Sequence, residues 1–152
     1  MDDKNAHRGY LSSALGCRCP RCREGKLFKN PVSVSMKKNM EMHKQCVVCG
    51  QPTELEVGFY YGTSYVSYAI TIAISVASLI AWWVIIGLST HDNRFFYWLG
   101  FNALFLVCLQ PWLMRLSRSL WISWFVRFDP AWKNSAPTDV SERLNPDQEN
   151  NW

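Results

Sequence analysis

Apolar and polar positions divide the chain into three stretches. Through Glu56 charged side chains recur throughout, whereas Val66 to Leu88 runs without a single charge. A helix needs roughly 20 residues to cross a hydrocarbon core, so this run predicts transmembrane helix one over 66–88. Phe95 to Met114 is a second uncharged run of similar length, interrupted by Gly100, Asn102, Gln110 and Pro111 but rich in Phe, Leu and Val. It predicts transmembrane helix two over 95–114. Only residues 89–94 lie between the two runs, a length that permits a tight antiparallel hairpin and little else. Both ends of the chain then face one side of the membrane.

Past the second run, Leu116, Leu120, Trp121, Trp124 and Phe128 fall on one broad helical face, and Arg115, Arg118 and Ser119 on another. This predicts an interfacial amphipathic helix over 115–130, lying in the headgroup layer. The alternative is that helix two runs on past a kink at Pro111. Residues 131–152 are polar and contain prolines, the composition of a disordered tail. Residues 1–15 read as an N-terminal extension. Residues 58–65, with Gly58-Phe-Tyr-Tyr-Gly62, read as an interfacial hinge whose second glycine eases the turn into the membrane.

Helix one carries small residues at four-residue intervals on two nearly opposite faces, Ser67, Thr71 and Ser75 on one, Ala69, Ala73, Ala77 and Ala81 on the other. Small side chains allow close backbone approach where lipid provides no hydrophobic drive for association. One face is expected to pack on helix two. The other is left for a partner or a second copy of the chain. A hairpin register centred on His91 and Asp92 places Asn102 opposite Ala81 and within about a turn of Ser78, which predicts an interhelical hydrogen bond. The predicted spans hold no acid, base or histidine, which argues against a proton relay.

The mean hydropathy of -0.10 conceals this segmentation, because it averages an apolar middle with polar ends. Eight Trp, eight Phe and six Tyr lie mostly between Phe59 and Trp132, as expected of side chains at membrane interfaces. Residues 1–30 contain no continuous apolar run, so no secretory signal is expected. Arg115, Arg118 and Arg127 precede the first acid after helix two, Asp129, whereas the loop offers Arg94 balanced by Asp92. The positive-inside rule places both termini in the cytoplasm. Five cysteines before the first span agree with that placement, since a reducing compartment keeps them as thiolates.

Those cysteines carry the most specific chemistry. Cys19-Pro-Arg-Cys22 and Cys46-Val-Val-Cys49-Gly50 are two Cys-x-x-Cys knuckles, separated by the spacer 23–45. Two residues between thiolates form a tight turn that presents both sulfurs to one ion, and two such turns complete a tetrahedral Zn²⁺ shell. We therefore expect residues 16–57 to form a zinc-ribbon-like β mini-domain, with Cys19, Cys22, Cys46 and Cys49 as the metal ligands. Gly50 supplies a positive φ after the second pair, and the long spacer implies a long hairpin between knuckles. The fold class is then a membrane α-helical hairpin with an N-terminal zinc-ribbon-like mini-domain. A closed shell of four thiolates has no place for water, so the zinc is structural. Iron fits the same ligands and would make a rubredoxin-like electron carrier. Cys17 is expected to be an unpaired bystander, His43 a surface histidine, and Cys108 a small apolar residue within the membrane.

Ten Lys or Arg stand against six Asp or Glu through Ser64, and four thiolates with one Zn²⁺ subtract two charges. The remaining +2 or so is small for a nucleic-acid-binding surface. No nucleophile paired with a base, no suggestive carboxylate pair and no phosphate-binding glycine loop is present, so an enzyme is not expected.

The motifs in order are Cys19-Pro-Arg-Cys-Arg-Glu-Gly-Lys-Leu-Phe28, Cys46-x-x-Cys-Gly50, Gly58-Phe-Tyr-Tyr-Gly62, Pro111, and Arg115-Leu-Ser-Arg-Ser-Leu-Trp121. That combination resembles the bacterial domain-of-unknown-function 983 family over about Cys17 to Pro130. The resemblance implies a multi-pass bacterial inner-membrane protein whose metal set is the four knuckle cysteines. In some bacteria it also implies an association with respiratory oxidase assembly. The expected function is a protein-interaction or assembly module for a membrane complex, with the bilayer and a protein partner or second copy as its contacts. The alternative is a redox or metal-handling protein.

Overall fold

The computed structural model describes residues 9–87 and 92–140. Among them are four α-helices, α1 (Tyr10–Leu15), α2 (Met36–Met40), α3 (Thr63–Ile86) and α4 (Arg94–Phe125), with a 3-10 turn over Phe59–Gly62. Helices α3 and α4 are long and apolar enough to cross a membrane. At about 1.5 Å per residue, the 24 residues of α3 span about 36 Å and the 32 of α4 about 48 Å. A hydrocarbon core is about 30 Å thick. Helix α4 therefore extends far beyond what a span requires.

The seam between α3 and α4 uses the hydroxyl face of α3. Val66 is buried and Ser67, Ile70, Thr71, Ile74, Ser75, Ser78 and Leu79 are half-buried at helical spacing, while Ala69, Ala73, Ala77 and Ala81 are exposed. As the hairpin register predicts, Asn102 bonds across the seam. Its Oδ1 lies 3.0 Å from Ser78 Oγ, and its Nδ2 donates to Ser75 Oγ at 3.3 Å. Trp98 Nε1 donates to Ser78 Oγ at 3.2 Å. The expected loop over 89–94 falls partly on residues 89–91, outside the described residues.

Helix α4 continues unbroken through Pro111 to Phe125. The separate interfacial helix expected over 115–130 is instead the upper part of α4, and the chain leaves helical geometry at Val126. Proline costs the helix one ladder bond, and packing offsets that loss. Below Pro111 only one stripe of α4 is covered, at Trp98 and Asn102, whereas Leu113, Arg115, Leu116, Ser117, Ser119 and Ile122 are all buried. The N-terminal segment encloses this upper part. Ser119 Oγ donates to the Ala14 carbonyl of α1 at 2.9 Å. Arg115 donates to the carbonyls of Asn39 and Pro31 at 2.9 and 2.8 Å, and its guanidinium lies 4.7 Å above the Phe28 ring.

No β-strand forms among the described residues. Pairing is confined to three isolated antiparallel bridges, Arg18↔Lys26, Phe28↔Met42 and Gln45↔Pro52. The long spacer between knuckles becomes a finger whose legs meet at Phe28↔Met42 and whose tip carries α2. Its inner side chain, Asn39, is fully buried and donates to the Pro111 carbonyl at 2.8 Å.

The Gly58–Gly62 hinge forms the 3-10 turn, but its glycines act differently from expectation. Gly58 adopts φ 77° at its start. Gly62 has ordinary φ and is required by close approach, since a Cβ there would lie 2.2 Å from the Trp121 ring. Trp121 Nε1 donates to the Phe59 carbonyl at 2.7 Å.

The polar tail expected over 131–152 is in part folded back. Trp132 packs on the core and Val140 is 6% exposed within it. Residues 141–152 and 1–8 lie outside the described residues.

Candidate metal centre

Each knuckle is a turn closed on its first cysteine. Arg23 N–H donates to the Cys19 carbonyl at 2.8 Å, and Gly50 N–H to the Cys46 carbonyl at 2.9 Å. The closing residues share left-handed backbone, φ 59° at Arg23 and 70° at Gly50. The second is a glycine and the first is not, at a cost to Arg23 of about 1–2 kcal/mol. Its guanidinium stacks 3.9 Å above the Phe128 ring, which offsets part of that strain.

The two turns bring Cys19, Cys22, Cys46 and Cys49 together, all four sulfurs lying within 4.8 Å of one another. Cys19 to Cys49 and Cys22 to Cys46 are each 3.7 Å. A tetrahedron with metal–sulfur distances of about 2.3 Å has edges of about 3.8 Å, so the cage fits one four-coordinate ion. A disulfide would require about 2.05 Å, and the six cysteines are free. The cluster can hold a metal ion. Cys19, Cys22 and Cys46 are buried and Cys49 is half-buried.

Without a cation the cage resists full ionisation. Cys46 is held as the favoured thiolate by hydrogen bonds from Cys19 and Cys22, its pKa lowered to about 2. Hydrogen bonding with Cys22 pushes Cys19 up. Burial pushes Cys49 up to about 12. Four thiolates packed this closely need a positive ion at their centre, and binding one displaces protons.

Three further residues build the site. A Cβ at Gly25 would meet Cys46 Sγ at 2.4 Å, so only glycine lets the first loop pass beneath the second knuckle. Arg21, 4% exposed, donates to the carbonyls of Cys49, Ser135 and Ala136 at 3.3, 2.8 and 2.9 Å. It also reaches Ser135 Oγ at 2.9 Å and pairs with Asp129 at 3.4 Å. Gln51, 1% exposed, approaches the Thr138 N–H at 3.4 Å through Oε1. Residues 129–140 thus form a strap across the knuckles. Asp129 is held below the usual carboxylate range, first by a hydrogen bond from Ser135.

None of these roles was read from the sequence. The signal for Gly25 was a glycine three residues beyond a metal-ligand pair. Arg21 stands inside the Cys-x-x-Cys turn itself. The sulfurs share one core with Leu27, Phe28, Leu55 and Phe59 and with Ile122, Val126 and Val140 from the far end of the chain.

Cys17 is half-buried beside the core but outside the cage, and burial pushes its thiol up to about 11. His43 is also outside the cage. Cys108 is exposed on α4. No protein-family model, curated protein or solved structure matches this chain.

Proposed function

We propose that this is a bacterial inner-membrane protein with two spans and cytosolic termini, whose cysteine cage holds a structural Zn²⁺. Its zinc-ribbon-like mini-domain is a docking module for a protein partner, or for a second copy, within a larger membrane complex. One observation carries the reading. The sulfur cage and the upper end of α4 share a single core, so the metal organises a rigid head on the membrane hairpin. Four sulfurs complete a tetrahedral shell, which suits structure rather than catalysis. The exposed Ala69–Ala81 stripe and the cation-bearing head are the surfaces available for recognition. The motif order resembles that of the domain-of-unknown-function 983 family, and on that resemblance alone the proposal extends to respiratory oxidase assembly.

The test is purification from native membranes in gentle detergent, with metal analysis and cross-linked pull-down. Stoichiometric zinc and a reproducible partner are expected. A monomer with no partner would overturn the docking role.

A second reading, a rubredoxin-like iron centre, draws on the matched knuckles, since Arg23 adopts the backbone that Gly50 adopts. Iron would reveal itself by visible absorption that bleaches on reduction. Colourless protein with zinc retained in reductant disposes of it.

A further inference from the structure

The finger between the knuckles ends in side chains that the mini-domain does not cover. Val34 is 86% exposed, and Val32 and Met36 are each 54% exposed. Val34 and Met36 line a cavity of about 310 Å³ whose other walls are Leu106, Val107, Gln110 and Pro111 of α4.

The depth of that cavity follows from helix geometry. Taking Arg94 at one edge of the hydrocarbon core, Val107 lies about 20 Å along the axis, Pro111 about 26 Å and Arg115 about 32 Å. A core about 30 Å thick ends near Arg115. Val34 and Met36 therefore face a stretch of α4 that lies about 5–10 Å inside the hydrocarbon.

Non-helical backbone tolerates that depth only where its polar groups are satisfied within the protein. The finger meets this condition at its inner turn. The carbonyls of Pro31 and Asn39 accept from Arg115, and Ser33 N–H donates to Asn39 Oδ1 at 3.1 Å. Asn30 Nδ2 donates to the Lys38 carbonyl at 3.2 Å. Exposed Lys37 and Lys38 stand beside the tip, where long cationic side chains reach back to anionic headgroups.

We propose that residues 29–41 are a membrane-seated finger, with Val32, Val34 and Met36 among the acyl chains of the cytosolic leaflet and Lys37 and Lys38 at its anionic headgroups. This rests on α3 and α4 being membrane spans. The leaflet is the favoured occupant because the tip continues the lipid-facing surface of Leu106 and Val107 and carries flanking cations.

The experiment uses the full, zinc-loaded chain in nanodiscs of phosphatidylethanolamine and phosphatidylglycerol. Cys17 and Cys108 are replaced by alanine, zinc retention is verified, and a nitroxide is attached at Val34→Cys, Val107→Cys or Asn134→Cys. Val34 and Val107 are 86% and 70% exposed, and Asn134 is exposed on the strap, outside the knuckles. Power saturation compares collisions with oxygen, which enters lipid, and with a water-soluble nickel chelate. The logarithm of the oxygen-to-nickel ratio is expected to be positive at 34 and 107 and negative at 134. A negative value at 34 with a positive value at 107 overturns the finger and leaves the spans standing. A negative value at 107 removes the spans and the finger together. Spin–spin broadening at 34 that vanishes on dilution with unlabelled chain would assign the tip to a second copy and overturn the lipid assignment.

Discussion

Gly25→Ala tests the cage through one added methyl group. The new Cβ would stand 2.4 Å from Cys46 Sγ and 3.4 Å from Val48 Cγ2. Reaching even 3.4 Å, the near edge of ordinary contact, requires the methyl and the sulfur to separate by a further 1.0 Å (3.4 minus 2.4). Metal–ligand distances tolerate about 0.2 Å, and the sulfur is fixed by the ion on one side and the Cys46 turn on the other. The loop must give way, an overpacking cost of about 1–3 kcal/mol. Zinc affinity is expected to fall about 10- to 100-fold, read by competition with a chromophoric chelator on the detergent-solubilised chain. The control is Gly50→Ala, where the nearest atom is Pro137 Cγ at 3.9 Å and only the φ of 70° is strained. That strain is worth about 1 kcal/mol and about fivefold in affinity. If Gly25→Ala binds zinc within twofold of the parent, the first loop does not pass against a metal-held sulfur and the cage described above is wrong.

Other consequences are equally direct. Cys46→Ser should release the metal, which contributes on the order of 10 kcal/mol in such small folds, and hydrogen exchange should show residues 17–55 and 129–140 losing protection together while the α3–α4 seam keeps it. Arg21→Ala removes hydrogen bonds from a charged donor worth about 1.5–3 kcal/mol; limited proteolysis should then cut within the strap, with zinc content unchanged. Asn102→Leu deletes the bonds to Ser75 and Ser78 and should cost the hairpin about 1 kcal/mol, measured by unfolding in mixed micelles. Burial raises the Cys17 thiol from 9.0 to about 11, so the folded state favours its proton. That contribution is fully present below pH 9 and lost as pH rises toward 11. Parent protein should therefore lose thermal stability faster than Cys17→Ala across that interval.

Much of this architecture was legible in the chain because its signals are local. The two uncharged runs, the paired knuckles and the Asn102–Ser78 register each depend on spacing along one segment. What escaped was set by distant partners. The strap reads as a disordered tail because Arg21 grips it through the carbonyls of Ser135 and Ala136, groups every residue carries. Helix α4 reads as ending near Met114 because Pro111 and the arginines look like a membrane boundary. Arg115 instead turns its charge inward to loop carbonyls, a partnership no helical wheel reveals. The β character expected of the mini-domain shrinks to single bridges because much of its backbone lies against a helix rather than a neighbouring strand.

The shared core orders events during synthesis. The knuckle cysteines are translated first, yet the roof over them, Ile122, Val126 and Val140, emerges only after both apolar helices have been made. Until then the thiolates sit in a half-built chamber open to water and to exchange. With α3 and α4 as membrane spans, completion of the head requires both to be inserted as a hairpin, and a chain in which only one of them crosses would leave its cysteines uncovered, separated from Ile122, Val126 and Val140 by the bilayer.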